Sequence, residues 1–336
     1  MGYKKHILKK KVKIALVVFM SLIICITIGY LIFNWIQGDD EVLGGEGIEL
    51  GTANAIEHTS KQVDKAKRGS IDVLALGNSD LFSGFNPLQL WHEKGITSYA
   101  AGGSMQNMSS TYYMLEEILK YQKPKVLILE LDNFFEKRGD DNKAEAKENT
   151  YRTCYPLFKY TSLWKQLKNK SYTQKKSANT RTFVRGYYYK TEIDPYKEGY
   201  SYMGSKNGEE PVVSYTQKYF PKIMSLAKQN NCQVIFLCFP SRTSWNYKKH
   251  NTVSKYAEKY KVPFLDMNVD QYNSGFDWET DTRDAGNHLN HNGATKVTKF
   301  LGEYLVDHYN LTDHRENPKF DDWNEDYNRF ISQLNH

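Results

Sequence analysis

The sequence predicts a doubly wound α/β sandwich of three layers, a mostly parallel five-stranded sheet between helices, behind one N-terminal transmembrane helix. Three observations predict it. Short runs that are apolar at every position recur from Ile71 onward. Longer segments of helical period separate them. The chain also opens with basic residues followed by a long uncharged stretch. Strands apolar on both faces belong in a parallel sheet covered on both sides.

The opening comes first. Lys4, Lys5, Lys9, Lys10, Lys11 and Lys13 stand among the first thirteen residues, with no acid. Residues 14–33, "IALVVFMSLIICITIGYLIF", carry no charge. At ~1.5 Å per residue such a helix crosses a bilayer core of ~30 Å. Trp35 follows and suits the membrane interface. Residues 1–13 therefore read as a basic cytoplasmic tail and 14–35 as a signal anchor, with the rest of the chain outside the cell. A cleaved signal peptide is the competing reading, but "FNWIQGDDEV" offers no small-x-small site. Residues 36–51, with "GDDEVLGGEGIELG", read as a linker.

Residues 52–312 carry the alternation of a single extracytoplasmic domain. The spacing predicts strands at 71–76, 97–101, 125–131, 233–239 and 263–266. It predicts helices near 52–67, 87–93, 106–121, 212–229, 245–260 and 292–309, with Asn86-Pro87 as a helix start. An aromatic insertion at about 136–210 interrupts the pattern and includes "TRTFVRGYYYKTEIDPY". It reads either as a lid or substrate platform, or as a surface subdomain with its own aromatic core. Tyrosine-rich surfaces suit carbohydrate or protein partners. Residues 313–336 form a C-terminal tail, in which "DDWNEDYNRFISQLNH" reads as a short amphipathic helix with no chemistry.

Charge and cysteines narrow the class. The formal net charge is +6, and the six N-terminal lysines account for all of it. A neutral body has no footprint for phosphate backbones, so nucleic acid is not an expected partner. Cys25 lies in the anchor, Cys154 is isolated, and Cys232 and Cys238 lie six apart in one apolar run, which as a strand holds them too far apart to bridge. "LGGEG" has no strand before it and is no nucleotide fingerprint. His288 and His291 lack a third ligand at metal spacing, and His250 sits among lysines and reads as solvated. No cofactor is expected.

What remains is an arrangement for acyl chemistry, which needs a nucleophile, a base, a group to orient the base, and donors for the oxyanion. Ser79 follows the first strand in "LALGNSD", and its own N–H can serve as a donor. Taken alone, "GNSD" also reads as a turn, with Asp80 and Ser83 as turn and helix-entry residues. "DTRDAGNHLNHNGA" supplies His288 four residues after Asp284, with Gly286 permitting a tight turn. Gly102 or Gly103 after the second strand and Asn133 after the third are further donor candidates. All stand at the carboxyl ends of strands, where sites form in such sheets.

"LGNSD", "AAGGSMQ", "ELDN" and "DAGNHLNHNGATKVTKFLG" together resemble the ordered blocks of the SGNH/GDSL hydrolase superfamily, and within it the DltD-like branch. The resemblance covers about residues 70–135 and 230–310. It implies a flavodoxin-like fold, Ser79 as nucleophile, His288 as base, and an oxyanion hole from Ser79, Gly102 or Gly103, and Asn133. Two blocks depart from the pattern. The superfamily spacing is Asp-x-x-His, whereas one more residue separates Asp284 from His288, and "ELDN" stands where Gly-x-Asn-Asp is usual. The resemblance further implies acyl transfer or ester hydrolysis (O-acetyl or D-alanyl) on a polysaccharide or teichoic acid of the cell envelope, beside a membrane-bound O-acyltransferase. The alternative is a non-catalytic envelope protein that retains the fold as a binding or scaffold module.

Overall fold

The computed structural model describes residues 69–136, 183–269 and 274–334. In chain order the strands are β1 (Val73–Gly77), β2 (Ser98–Gly102), β3 (Val126–Glu130), β4 (Phe183–Val184), β5 (Tyr187–Tyr188), β6 (Gln233–Cys238), β7 (Phe264–Asp266), β8 (Thr282–Arg283) and β9 (His288–Leu289). The helices are α1 (Ser79–Gly84), α2 (Pro87–Lys94), α3 (Met108–Ile118), α4 (Ser214–Gln229), α5 (Tyr247–Tyr260), α6 (His291–His308) and α7 (Asp321–Leu334). The five expected strands form one sheet in the order β2-β1-β3-β6-β7, every pair parallel. The expected anchor, linker, first helix and residues 137–182 of the insertion lie outside the described residues. Among the described residues no helix is long and apolar enough to cross a membrane.

Alternation along the strands builds two cores. Leu74, Leu76, Leu127, Leu129 and Phe236 face one way, onto Met114 and Leu115 of α3, Phe220 and Ile223 of α4, and Val253 of α5. Val73, Ala75, Ile128, Ile235 and Leu237 face the other way, onto Leu81 of α1, Leu90 of α2, and Val297, Leu301 and Leu305 of α6. Burial on both faces is why these strands read as unbroken apolar runs. The connections bring the ends of β1, β2, β3 and β6 to one edge, in register at Gly77 with Gly102 and Glu130 with Leu237.

The described part of the insertion belongs to the body of the domain. From the turn of the β4–β5 hairpin onward, residues 185–203 run as a strap beside the C-terminal segment. The Arg185 carbonyl accepts a hydrogen bond from Ala100 N–H on β2 at 3.1 Å. Gly186 (φ +86°) lies so close to the Ala100 carbonyl that no side chain fits. Further along, Tyr196, Tyr200 and Tyr202 each pack edge to face on Trp278, with ring centroids 5.3–5.9 Å apart. These rings form a local aromatic cluster between the described part of the insertion and Trp278.

The C-terminal segment is not a loose tail. Trp323 of α7 is 2% exposed and packs on Trp91 of α2 with centroids 5.4 Å apart. The Arg185 guanidinium lies 4.1 Å above the Trp323 ring and pairs with Asp322 and Asp326 at 3.1 and 2.7 Å. Helix α7 thus fastens the strap to α2.

Candidate active site

The nucleophile turn follows from four consecutive residues. β1 ends at Gly77, where a Cβ would sit 2.6 Å from the Glu130 Cβ and 2.9 Å from its Oε2. Glycine is therefore what lets the Glu130 side chain pass under the turn. Asn78 caps α1, its Oδ1 accepting from Asp80 N–H at 2.8 Å. Its Nδ2 donates to Asp132 Oδ2 at 2.8 Å, and its backbone N–H reaches Glu130 Oε2 at 3.4 Å. Ser79, the first residue of α1, is thereby held at the carboxyl edge of the sheet, half-buried.

The base arrives on a separate device. Strands β8 and β9 pair antiparallel, with Arg283 opposite His288. The turn between them holds three successive left-handed residues, Asp284 (φ +56°), Ala285 (φ +53°) and Gly286 (φ +86°). Each non-glycine residue in that conformation costs about 1–2 kcal/mol. The neighbouring segments hold the turn in place. Asp194 of the strap accepts from Ala285 N–H at 2.9 Å, Arg242 N–H donates to the Gly286 carbonyl at 2.9 Å, and Ser241 Oγ donates to the Asn287 carbonyl at 2.8 Å. A Cβ on Gly286 would fall 2.7 Å from the Tyr196 Cβ. Asn290 then caps α6 through Gly293 N–H at 3.2 Å.

Across 209 residues of sequence, His288 Nε2 meets Ser79 Oγ at 2.9 Å. His288 Nδ1 meets Asp284 Oδ2, also at 2.9 Å. A carboxylate only accepts, so Nδ1 carries the proton and Nε2 is free to accept from the serine hydroxyl. The four-residue spacing is spanned by the left-handed turn, which swings the Asp284 carboxylate back to the ring. The His288 side chain is 15% exposed, whereas that of Asp284 is 48% exposed. Burial pushes the His288 imidazole below its ordinary value, the Arg283 guanidinium pushes the same way, and Asp284 opposes both. His288 is thus a neutral base at neutral pH.

The donor candidates separate. Gly102 lies against the nucleophile turn, where a Cβ would stand 2.8 Å from the Gly77 carbonyl oxygen and 3.2 Å from that of Asn78. Gly103 is the next residue along that edge. Asn133 is 1% exposed, and one of its amide N–H groups donates to Thr111 Oγ1 at 3.3 Å, while its Oδ1 is buried with no partner. The structure gives Asn133 a side-chain partner on α3 and does not join it to the Ser79–His288–Asp284 chain.

Several residues around the site carry roles the sequence reading did not give them. Asp80 stands in the first turn of α1, as a helix-entry residue, and is buried. It is 4% exposed, accepts a hydrogen bond from Ser244, and has Oδ1 3.9 Å from His288 Nε2. Glu130 is 1% exposed and takes Asp132 N–H on Oε1 at 2.7 Å. Burial, reinforced by the neighbouring Asp132, raises both carboxyls well above their ordinary range. Lys249 of α5 answers this negative cluster, with Nζ 3.3 Å from Asp132 Oδ1. Ser83 is likewise buried, and accepts from Arg283 Nη2 at 2.9 Å. His250 is not solvated; its Nδ1 lies 2.6 Å from Asp266 Oδ2, which also accepts from Trp245 Nε1 at 2.7 Å. His291, the other half of the rejected metal pair, sits against the Tyr187 hydroxyl at 3.1 Å.

No protein-family model matches the chain. Curated proteins give no match either. Among solved structures the chain is similar to a GDSL-like lipase from Bacteroides thetaiotaomicron, at 14% identity over 76% of this chain and 99% of that one, with a TM-score of 0.40. It is similar to a family 3 carbohydrate esterase from Clostridium thermocellum, at 13% identity over 70% and 96%, with a TM-score of 0.37. It is similar to a lipase/acylhydrolase from Enterococcus faecalis, at 7% identity over 72% and 99%, with a TM-score of 0.37. The structural neighbours are thus GDSL-like lipases and acylhydrolases. At these identities and scores they assign this chain no chemistry, which rests on its own residues.

Proposed function

We propose that the protein is a serine acyl-ester enzyme, a hydrolase or acyltransferase, with Ser79 as nucleophile, His288 as general base and Asp284 as the group that orients the base. One observation carries this reading: the unbroken chain from Ser79 Oγ through His288 to Asp284, with both links at 2.9 Å. The geometry fits one reaction sequence. Ser79 Oγ attacks the ester carbonyl as its proton passes to His288 Nε2. The oxyanion is met by the Ser79 N–H, which as the first residue of α1 has no intrahelical acceptor, and by the backbone at Gly102 or Gly103. The tetrahedral intermediate collapses, the C–O bond to the alcohol breaks, and the alcohol leaves with the proton from His288. Water or a second hydroxyl then attacks the acyl-serine, giving up its proton to His288; the bond from the acyl carbon to Ser79 Oγ breaks, and His288 returns the proton to Oγ.

The substrate assignment rests on the sequence. The lysine-flanked apolar segment at 14–33 supports a membrane anchor with the domain outside. The resemblance to the DltD-like branch supports an acyl ester of an envelope polysaccharide or teichoic acid, O-acetyl or D-alanyl, and a membrane-bound O-acyltransferase as partner. The test is a fluorophosphonate probe, which reacts with an activated serine. Wild-type protein labels at Ser79 and Ser79→Ala does not. Absence of labelling in the wild type, or equal labelling in the variant, refutes the proposal.

A further inference from the structure

The orienting carboxylate has an unusual setting. Asp284 is nearly half exposed and sits in a left-handed turn. A carboxylate so exposed is free to rotate, and water competes for the hydrogen bond it must accept from the imidazole. Its Oδ2, the atom that receives His288 Nδ1, is also met by Arg283 Nη1 at 2.6 Å. Arg283 is held in turn. Its side chain is 11% exposed, its Nη2 donates to Ser83 Oγ at 2.9 Å, and its guanidinium stands 5.4 Å from the centre of the Tyr188 ring. Ser83 lies on α1, the helix that begins with the nucleophile. One planar fork therefore ties the nucleophile's helix to the carboxylate that orients the base.

We propose that Arg283 is a positioning residue of this site, acting through Asp284: it fixes the carboxylate against the His288 ring and locks that ring in line with Ser79. The assignment rests on the serine acyl-ester reading above. Lysine cannot replace it, since an ammonium has no fork to meet Ser83 and Asp284 at once. The Arg283 Nε–H is buried without an acceptor, which works against stability. That cost sets Arg283 apart from a residue whose only task is to hold the fold together.

The guanidinium also adds charge beside the base. The charged groups facing the His288 ring are Asp284 at Nδ1, Asp80 from α1 at 3.9 Å from Nε2, Asp132 from the turn after β3, and Arg283 from β8. Of these only Arg283 is positive, and it disfavours the imidazolium. Its removal takes away the positive charge that opposes the pull of Asp284 and Asp132 on the ring, so His288 takes up its proton at higher pH.

The experiment is the rate of fluorophosphonate labelling of the full chain as a function of pH, in wild type, Arg283→Gln, Arg283→Lys and Ser83→Ala, with the His288 ring titrated by NMR alongside. Arg283→Gln lowers the plateau rate by about 10- to 100-fold, as misalignment of a reacting group does, and moves the acid limb and the ring titration to higher pH. Arg283→Lys lowers the plateau but leaves the limb near its wild-type position. Ser83→Ala keeps the charge, loosens the fork, and lowers the plateau with no shift of the limb, which keeps the proposal open to test should Arg283→Gln not fold. A merely structural arginine would change the yield of folded protein while the folded fraction kept the wild-type plateau, since a moved limb alone reports its charge. Wild-type labelling with an unchanged plateau and limb in Arg283→Gln overturns the Arg283 assignment alone. If the wild type does not label, the reading of the site fails, and the assignment fails with it.

Discussion

Gly286 offers a quantitative test of how the base loop is held. At φ +86° it occupies a conformation that L side chains rarely adopt. Replacing it with alanine costs about 1–2 kcal/mol for the backbone alone. The new Cβ would stand 2.7 Å from the Tyr196 Cβ and 3.3 Å from Trp278 Cζ3. Both rings are wedged in the aromatic core beneath the strap, so the overlap cannot be relieved by one flexible side chain. Overpacking of this kind adds about 1–3 kcal/mol. Gly286→Ala is thus expected to destabilise by about 2–5 kcal/mol, a large share of the ~5–15 kcal/mol that holds a domain together. At ~2–4 °C per kcal/mol for a domain of 150–250 residues, the melting temperature falls by at least several degrees. Since the same turn carries Asp284 and His288, labelling of Ser79 by a fluorophosphonate falls as well. The assays are a thermal melt and the labelling rate at a temperature where the variant is folded. An unchanged melting temperature together with an unchanged rate would show that the turn is not braced by Tyr196.

Three other outcomes follow from the same structure. Ala285→Gly relieves left-handed strain of about 1–2 kcal/mol but loosens the unfolded chain by about 0.4–1 kcal/mol, so the variant melts at or slightly above wild type; a drop of several degrees refutes the strain. Asp284→Asn removes the anion that holds the His288 Nδ1 proton, and the labelling rate falls by about 10²- to 10⁴-fold; an undiminished rate excludes Asp284 from the site. For Asp80 and Glu130, burial raises the folded-state carboxyls, so above about pH 4 the folded chain keeps protons that the unfolded chain has released. Their contribution to stability therefore falls as pH rises from there through the raised folded values. Asp80→Asn removes one of the two groups, and its stability, measured by urea unfolding, should vary less with pH over that range than that of the wild type.

The sheet was legible because its strands are buried on both faces, which leaves unbroken apolar runs with turn residues at each end. Asn86-Pro87 marked a helix start for the same reason that Asn86 caps it. Ser79 and His288 were legible through position: a small polar cluster at a strand end and a histidine between a carboxylate and a helix. The supporting residues were not. Arg283 reads as one more loop cation, and only folding brings it Ser83 from 200 residues away. Glu130 reads as a strand end turning to solvent, yet the missing Cβ of Gly77 admits it beneath the nucleophile. β8 and β9 are two residues each, too short to show any period. The tyrosines of the insertion left two readings open, because nothing local shows that Trp278 and Gly286 will cover Tyr196.

The strap has one consequence for how copies of this protein behave together. The sheet ends in β2 on one side and β7 on the other. Exposed outer strands invite pairing with a neighbour and seed aggregation. Here β7 is three residues long, and β2 spends its Ala100 N–H on the Arg185 carbonyl beneath Gly186. Among the described residues, neither border offers a long free ladder to a second chain. Crowded side by side, such domains have no ready template for growth into fibres. The weakness in that protection is a single glycine: any side chain at 186 would push against the Ala100 carbonyl, lift the strap, and uncover the border where self-association would begin.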